Sequence, residues 1–479
     1  MIRRRKARPD SGPAWLIGAL AALLLATAGP AAGTEEAVPF GRFGTVTLYH
    51  GAKLPAHVVL FVSGDGGWNL GVVDMARALA GLDAVVAGID ITHYLRELAV
   101  SKDPCLYPAS DLEELSKFVQ KRIGLPEYVA PVLVGYSSGA TLVYATLVQA
   151  PPAEFKGGIG LGFCPDLILP KPMCRGSGLQ WEAGQKGNKF VFLPAPGLEV
   201  PWVALQGLDD KVCDPAATAA FVSRTQGARV VKLPGVGHGF LSQQKWMPQF
   251  KEAFRRITEA PGFENEAVEK GLEDLPLVEV PATGPERDIL AVHLTGDGGW
   301  GVTDKGLSAD LAGNGIPVVA LNSLKYFWTR RTPETAAADL ARILRYYLRA
   351  WQKTKVVLIG YSLGADVLPF MLNRLPEKLQ ALVGTVVFMG PSETVEFEFH
   401  VADWLGRSPG KAALPVVPEI AQMREGIAVL CVHGEKDETD ICGRLDSARV
   451  RSIGLQTGHR IGGHFAPVTQ AILDALREK

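Results

Sequence analysis

Two serines in this chain occupy the same kind of place. Val134-Gly135-Tyr136-Ser137-Ser138-Gly139-Ala140 and Ile359-Gly360-Tyr361-Ser362-Leu363-Gly364-Ala365 both run from an apolar stretch through Gly-X-Ser-X-Gly into a helix-forming segment. A serine on such a strand-to-helix turn is pushed out over the end of a sheet, and its flanking glycines leave room for a strained backbone. The hydroxyl is a weak nucleophile and needs a base. His238 and His459 each follow an apolar run and a glycine, and each precedes a helix-forming segment. His464, five residues beyond His459, is the competing base in the second half, but the repeat aligns His459 with His238, and His464 reads more readily as a substrate contact. A carboxylate must orient the imidazole and stabilise its charged form. Asp210 and Asp437 lie three residues after a glycine that ends an apolar run, with Asp209 and Asp440 as alternatives. The reaction open to such a set is acyl transfer through a serine ester.

Acyl transfer also requires backbone N–H groups aimed at the developing oxyanion. One belongs to the residue after the nucleophile, Ser138 or Leu363. The other belongs to a glycine-rich loop after an early strand. Gly64-Asp65-Gly66-Gly67-Trp68 and Gly296-Asp297-Gly298-Gly299-Trp300 stand at that place. The same residues also make a tight turn with a packed Trp, and both roles are compatible.

Every one of these features occurs twice and in the same order. A repeat of such long period means two homologous domains, not a solenoid. The order Ser, Asp, His is that of the α/β-hydrolase fold. The expected fold is therefore two tandem homologous α/β-hydrolase-like domains, each a mainly parallel sheet flanked by helices. Short apolar runs at 58–62, 84–89, 131–134, 200–205 and 230–233 supply strands for the first. Runs at 289–294, 317–321, 356–359, 428–432 and 450–455 supply them for the second. Continuous apolar runs alternating with helical patterns, as at 111–122, 336–351 and 466–476, argue for parallel sheets. The expected domains are 38–260 and 287–479, joined by a linker over 261–286 rich in Glu, Pro and Gly. Insertions at 162–196 and 392–418 fall between nucleophile and acid, where lids occur in this fold.

The 479 residues carry a net charge of −1, and no basic stripe lies beyond the N-terminus, so nucleic-acid binding has no electrostatic support. Residues 1–33 have the layout of a secretory signal peptide: Arg3-Arg4-Arg5-Lys6, an apolar run over 14–28, then Ala31-Ala32-Gly33. The run of about 15 residues is short of the roughly 20 that span a bilayer. Six cysteines fit an exported protein. Cys431 and Cys442 flank the acid loop of the second half and form the expected pair. Cys105, Cys164, Cys174 and Cys213 allow three connectivities. No Cys/His spacing resembles a zinc site, and no metal or cofactor is expected.

The second half carries further motifs: Thr295-Gly-Asp-Gly-Gly-Trp300, Asn322-Ser-Leu-Lys-Tyr-Phe-Trp328, Arg331-Thr-Pro-Glu334, Trp351, and the run from Gly360 to Phe370. On these and the Cys431–Cys442 segment the chain resembles the AcvB/VirJ family of bacterial virulence proteins. One departure is the C-terminal segment Gly458-His459-Arg460-Ile461-Gly462-Gly463-His464, where the family tends to pair its histidines. The resemblance implies a periplasmic serine hydrolase acting on lysyl-phosphatidylglycerol, with peripheral membrane contact and an association with type IV secretion proteins. The lysyl group carries two amines, which acidic residues near the pocket would suit, and Asp297 and Asp366 are available; residues 326–328 either contact lipid or glycerol or pack in the core. Two other readings stand beside this one. One is a general carboxylesterase or thioesterase. The other is a secretion-associated binding protein with relic triads, against which the intact Ser, Asp and His of both halves argue.

Overall fold

A computed structural model describes residues 34–477 except 52, 152–153, 186, 261–270, 400–412, 438 and 460–464. The signal-like segment 1–33, His464 and the first part of the expected linker lie outside the described residues.

The first half is built on eight strands: β1 (Thr34–Phe40), β2 (Gly44–His50), β3 (His57–Val62), β4 (Ala84–Ile89), β5 (Val132–Tyr136), β6 (Gly157–Leu161), β7 (Trp202–Gly207) and β8 (Ala228–Leu233). They lie in the order β1-β2-β4-β3-β5-β6-β7-β8. The first two are antiparallel to their neighbours, and the rest are parallel. The second half has seven strands: β9 (Leu277–Val280), β10 (Ile289–Leu294), β11 (Val318–Leu321), β12 (Lys355–Tyr361), β13 (Val383–Met389), β14 (Ala428–Gly434) and β15 (Val450–Leu455). Their order is β9-β11-β10-β12-β13-β14-β15, and β9 alone runs antiparallel to its neighbour. The second sheet thus repeats the first without a counterpart of β1. Both are mixed α/β sheets of the hydrolase type.

The apolar runs form central strands because both of their faces are covered. Along β3, Val58, Leu60 and Val62 pack into one core while Val59 and Phe61 pack into another. Along β10, Leu290, Val292 and Leu294 face one side, and Ile289 and Ala291 the other. This is the two-residue alternation of a strand buried on both faces.

Strand β9 lies inside the stretch read from sequence as linker. Its Leu-Val-Glu-Val segment is short and sits among Pro and Glu residues, so it carries little apolar signal. It gains its place by antiparallel pairing with β11 at the sheet edge. The insertion at 162–196 forms a small antiparallel sheet of Asp166–Ile168, Lys189–Phe192 and Trp181–Ala183.

Three disulfides join Cys105–Cys174, Cys164–Cys213 and Cys431–Cys442, and no described cysteine is free. Each restricts the unfolded chain, an effect worth roughly 2–4 kcal/mol. Among the described residues no helix is long and apolar enough to cross a membrane.

The halves meet through helix α1 (Pro108–Ile123) and the segment after it. Tyr128 joins Leu324, Trp328 and Phe399 in one buried cluster. The Trp328 indole N–H donates to the Leu125 carbonyl at 2.8 Å, and its ring stacks on Phe399. Residues 326–328, read from sequence as either lipid contacts or core packing, are buried: Tyr326 is 1%, Phe327 0% and Trp328 2% exposed. Tyr326 donates its hydroxyl to Asp339 at 2.6 Å. Three adjacent aromatics are worth more packed than hydrated, at roughly 1.5–3 kcal/mol for a fully buried Phe.

Candidate active site

Each serine sits where its strand stops and a helix begins. Ser137 ends β5 and precedes helix α2 (Ser138–Gln149). Ser362 ends β12 and precedes helix α3 (Leu363–Asn373). Their φ angles are 55° and 50°, a left-handed conformation costly for a residue with a Cβ. The surrounding glycines explain how it is held. A Cβ on Gly135 would lie 2.2 Å from the Gly139 carbonyl, and one on Gly360 2.4 Å from the Gly364 carbonyl. A Cβ on Gly139 or Gly364 would strike the preceding central strand, at 2.3 Å from Ser63 O or 2.2 Å from Leu294 O. Only glycine lets strand, turn and helix approach this closely. The N–H groups of Ser138 and Leu363 open their helices, where the backbone dipole favours negative charge.

The structure brings the sequence-selected partners together in both halves. His238 Nε2 is 2.9 Å from Ser137 Oγ, and its Nδ1 is 2.9 Å from Asp210 Oδ2. His459 Nε2 is 3.0 Å from Ser362 Oγ, and its Nδ1 is 2.7 Å from Asp437 Oδ2. The alternative acids go elsewhere. Asp209 is exposed. Asp440 pairs with His433 Nδ1 at 2.8 Å and accepts the Cys442 N–H.

Local donors keep both acids ionised. Burial pushes the Asp437 carboxyl up, but the Thr439 hydroxyl and N–H and the His459 ring outweigh it, so its pKa lies below the ordinary value. Burial likewise pushes Asp210 up, and the Cys213 N–H, the His238 ring and the Val212 N–H pull it below. The Cys164–Cys213 bridge therefore ties the acid loop of the first half, as Cys431–Cys442 ties that of the second.

A family described as "Bacterial virulence protein (VirJ)" matches residues 56–157 and 288–479. The chain belongs to the VirJ family. No curated protein matches it. Solved structures similar to it include the esterase domain of a Rhodothermus marinus protein, 14% identical over 47% of this chain and 98% of that one, with a TM-score of 0.32. A serine hydrolase without a lid from Xanthomonas campestris is 19% identical over 49% of this chain and 98% of that one, with a TM-score of 0.32. A dienelactone hydrolase from Anabaena variabilis is 15% identical over 46% of this chain and 95% of that one, with a TM-score of 0.33.

The two VirJ-type glycine loops flank their serines. A Cβ on Gly64 would come within 3.1 Å of Ser137 Cβ, and one on Gly296 within 3.5 Å of Ser362 Cβ. A substrate carbonyl beside the serine needs that space. Asp65 and Gly66 are exposed in the first half. In the second, Gly296, Asp297 and Gly298 line a cleft of about 960 Å³ that also holds Ser362 and His459. Residues of the first half, among them Asp111, Glu113 and Tyr128, complete its wall. A cavity of about 140 Å³ beside Leu147 and Leu198 carries neither serine.

Asp366 does not stand in the way expected of an amine ligand. It is 6% exposed, and its Oδ1 accepts the Ser392 N–H at 2.6 Å. Burial drives its pKa well above the ordinary value, against the Ser392 donors and with the charge of Asp297 adding to the rise.

Three pairs of supporting residues were not singled out from sequence. Tyr136 and Tyr361 donate to the carbonyls of His238 and His459, at 2.9 and 3.4 Å. Gly162 and Gly390, both with positive φ, press on the same imidazoles, where a Cβ would come within 3.2 Å of each ring. Ser63 and Thr295 accept N–H bonds from Ile91 and Ser323, tying each glycine loop to the next strand's end. Their signal was available, since each pair holds equivalent places in the two copies.

Two clusters, Asp210–Cys213–His238 and Cys431–Asp440–Cys442, have a spacing suited to a metal. Their cysteines are in disulfides, and a disulfide sulfur is not a thiolate ligand.

Proposed function

We propose that this chain is an exported serine hydrolase that cleaves the aminoacyl ester of lysyl-phosphatidylglycerol, with Ser362 as nucleophile. The observation that carries the reading is the Ser362–His459–Asp437 relay opening into a large cleft between the halves. His459 Nε2 takes the serine proton as Oγ attacks the lysyl carbonyl. The N–H groups of Asp297 and Leu363 receive the oxyanion. The proton passes to the departing glycerol oxygen, leaving phosphatidylglycerol and a lysyl ester on Ser362. Water, activated by the same histidine, then releases lysine. Asp437 holds the imidazole in the required tautomer throughout.

The charge of the cleft favours a cationic acyl group. Asp103, Asp111, Glu113, Glu114, Glu154, Asp297 and Asp304 line it, against the cations Arg42 and Lys325. With the pairs of Arg42 to Asp103 and Asp111 and of Lys117 to Glu113 taken into account, carboxylates still outnumber cations. A lysyl group with two amines suits that lining better than a fatty acyl chain does. Three disulfides and the signal-like segment 1–33 support a periplasmic location. A lipid substrate requires at least peripheral contact with the membrane surface.

The test is purified protein with lysyl-phosphatidylglycerol vesicles. Lysine release that disappears in Ser362→Ala is the expected result. Release of fatty acid without lysine would replace this reading with a general lipase or carboxylesterase. The first half holds an equally assembled Ser137–His238–Asp210 set, which favours a second hydrolytic centre of separate specificity. A fluorophosphonate probe with each serine replaced in turn assigns the activities.

A further inference from the structure

Helix α1 of the first half carries a buried lysine that the reaction above does not use. The Lys117 side chain is 1% exposed. Its ammonium pairs with Glu113 at 2.7 Å, one helical turn back, and donates to the backbone carbonyl of Asp297 at 3.2 Å. Glu113 in turn lies beside the same loop, 3.8 Å from where a Cβ on Gly298 would stand. Lysine is seldom buried, because removing an ammonium from water costs several kcal/mol even when it is paired. Such a pair adds little net stability over an apolar replacement. Folding energy alone therefore gives weak reason for Lys117, and its aim gives a better one.

We infer that Lys117 is a positioning residue through which the first half fixes the oxyanion loop of the second. The inference rests on the Ser362 reading. The Asp297 carbonyl belongs to the residue whose N–H, in that reading, receives the oxyanion. Anchoring the carbonyl restricts ψ of Asp297 and so restricts the residue between two glycines, Gly296 and Gly298, that would otherwise leave it loose. A donor held in place before reaction costs no reorganisation during it. The loop of the first half differs, since Asp65 is exposed to solvent whereas Asp297 is half-buried. The first half thus serves as a structural part of the second half's site.

The full chain contains its own control, because Ser137 reports on the first half independently. In Lys117→Met, fluorophosphonate labelling of Ser362 should slow by about tenfold to a hundredfold, less than the loss of a whole oxyanion donor, while labelling of Ser137 keeps its rate. Ester turnover should fall in kcat by a similar factor, with KM within about threefold, as expected for a contribution made in the transition state. Lys117→Arg should recover much of the rate. Lys121→Met removes a contact from the same helix to the Trp328 carbonyl, away from the oxyanion loop, and should leave the Ser362 rate within about threefold. Unchanged Ser362 labelling in Lys117→Met would overturn the inference. So would an equal loss in Lys121→Met, which would mark a general loosening of the interface. Loss of labelling at both serines would mark misfolding of Lys117→Met and pass the decision to Lys117→Arg, where recovery of labelling at both serines is expected and recovery at Ser137 without recovery at Ser362 would overturn the inference. Absence of Ser362 labelling in the unaltered protein would instead reject the function on which the inference rests.

Discussion

Replacing Asp437 by Asn separates orientation of the histidine from mere occupancy of the site. Asp437 Oδ2 faces His459 Nδ1 at 2.7 Å, while Oδ1 accepts the Thr439 N–H at 3.0 Å and the Thr439 hydroxyl at 2.7 Å. All of these are donors, and the carboxylate accepts from each. Asparagine has one acceptor and one donor end. If its oxygen stays with Thr439, its NH2 faces Nδ1, which must then become an acceptor. The proton moves to Nε2, and the histidine can no longer take one from Ser362 Oγ. If the amide turns over, its NH2 confronts two Thr439 donors, and two bonds worth about 1 kcal/mol each are lost. The first arrangement is the cheaper, and it holds the wrong tautomer. In other triads this tautomer error costs about 10⁴ in kcat, equivalent to about 5.4 kcal/mol of barrier. Stability should change by no more than about 1 kcal/mol, since the Thr439 bonds survive. The assay is ester turnover and fluorophosphonate labelling of Ser362 beside a thermal melt. A folded Asp437→Asn protein that keeps kcat within tenfold of the original would refute the assigned role. In that event Asp440, with its partner His433, becomes the acid to test.

Two further outcomes follow from packing and charge. Gly364→Ala drives a Cβ to 2.2 Å from the Leu294 carbonyl, so it should cost about 1–3 kcal/mol or more and abolish Ser362 labelling, whereas Gly313→Ala, with open space around it, should cost nothing; a normal melt and normal labelling for Gly364→Ala would refute the close-packed elbow. Asp366 binds its proton more tightly folded than unfolded, so folding stability should fall as pH rises above the ordinary carboxyl value of 3.8 towards the raised folded pKa. Asp366→Asn can keep the acceptor for Ser392 and has nothing to titrate. It should match the wild type below pH 3.8 and be the more stable at neutrality, and a thermal-midpoint difference that does not grow with pH would reject the buried protonated carboxyl.

The candidate catalytic residues were legible because their signals are local. A central strand must be a run of apolar residues, since both faces are covered, and β4 and β10 have the bounds their sequences suggested. The elbow must be Gly-X-Ser-X-Gly, since its glycines touch backbone at under 2.5 Å from any added Cβ. The repeat then supplied a second reading of every motif, which aligned Asp437 with Asp210 and His459 with His238. The edge strands were harder to read. β1, β2 and β9 lie at the antiparallel end of each sheet, and β9 is a short run beside Pro and Glu residues that pairing with β11, more than burial, makes a strand.

Tertiary structure alone decided how the two copies use each other. Sequence left residues 326–328 open between lipid contact and core packing, because three adjacent aromatics suit either. The approach of α1 and Tyr128 buries them. Sequence put Asp366 at the substrate because it lies near Ser362 along the chain. Burial and the Ser392 N–H hold it in the protein instead. The contact of Lys117 with Asp297, 180 residues apart, has no local signal, since a lysine on an amphipathic helix ordinarily faces water. A motif fixes what a residue is able to do through its immediate neighbours. What it faces depends on where another sheet, folded from a distant part of the chain, comes to rest.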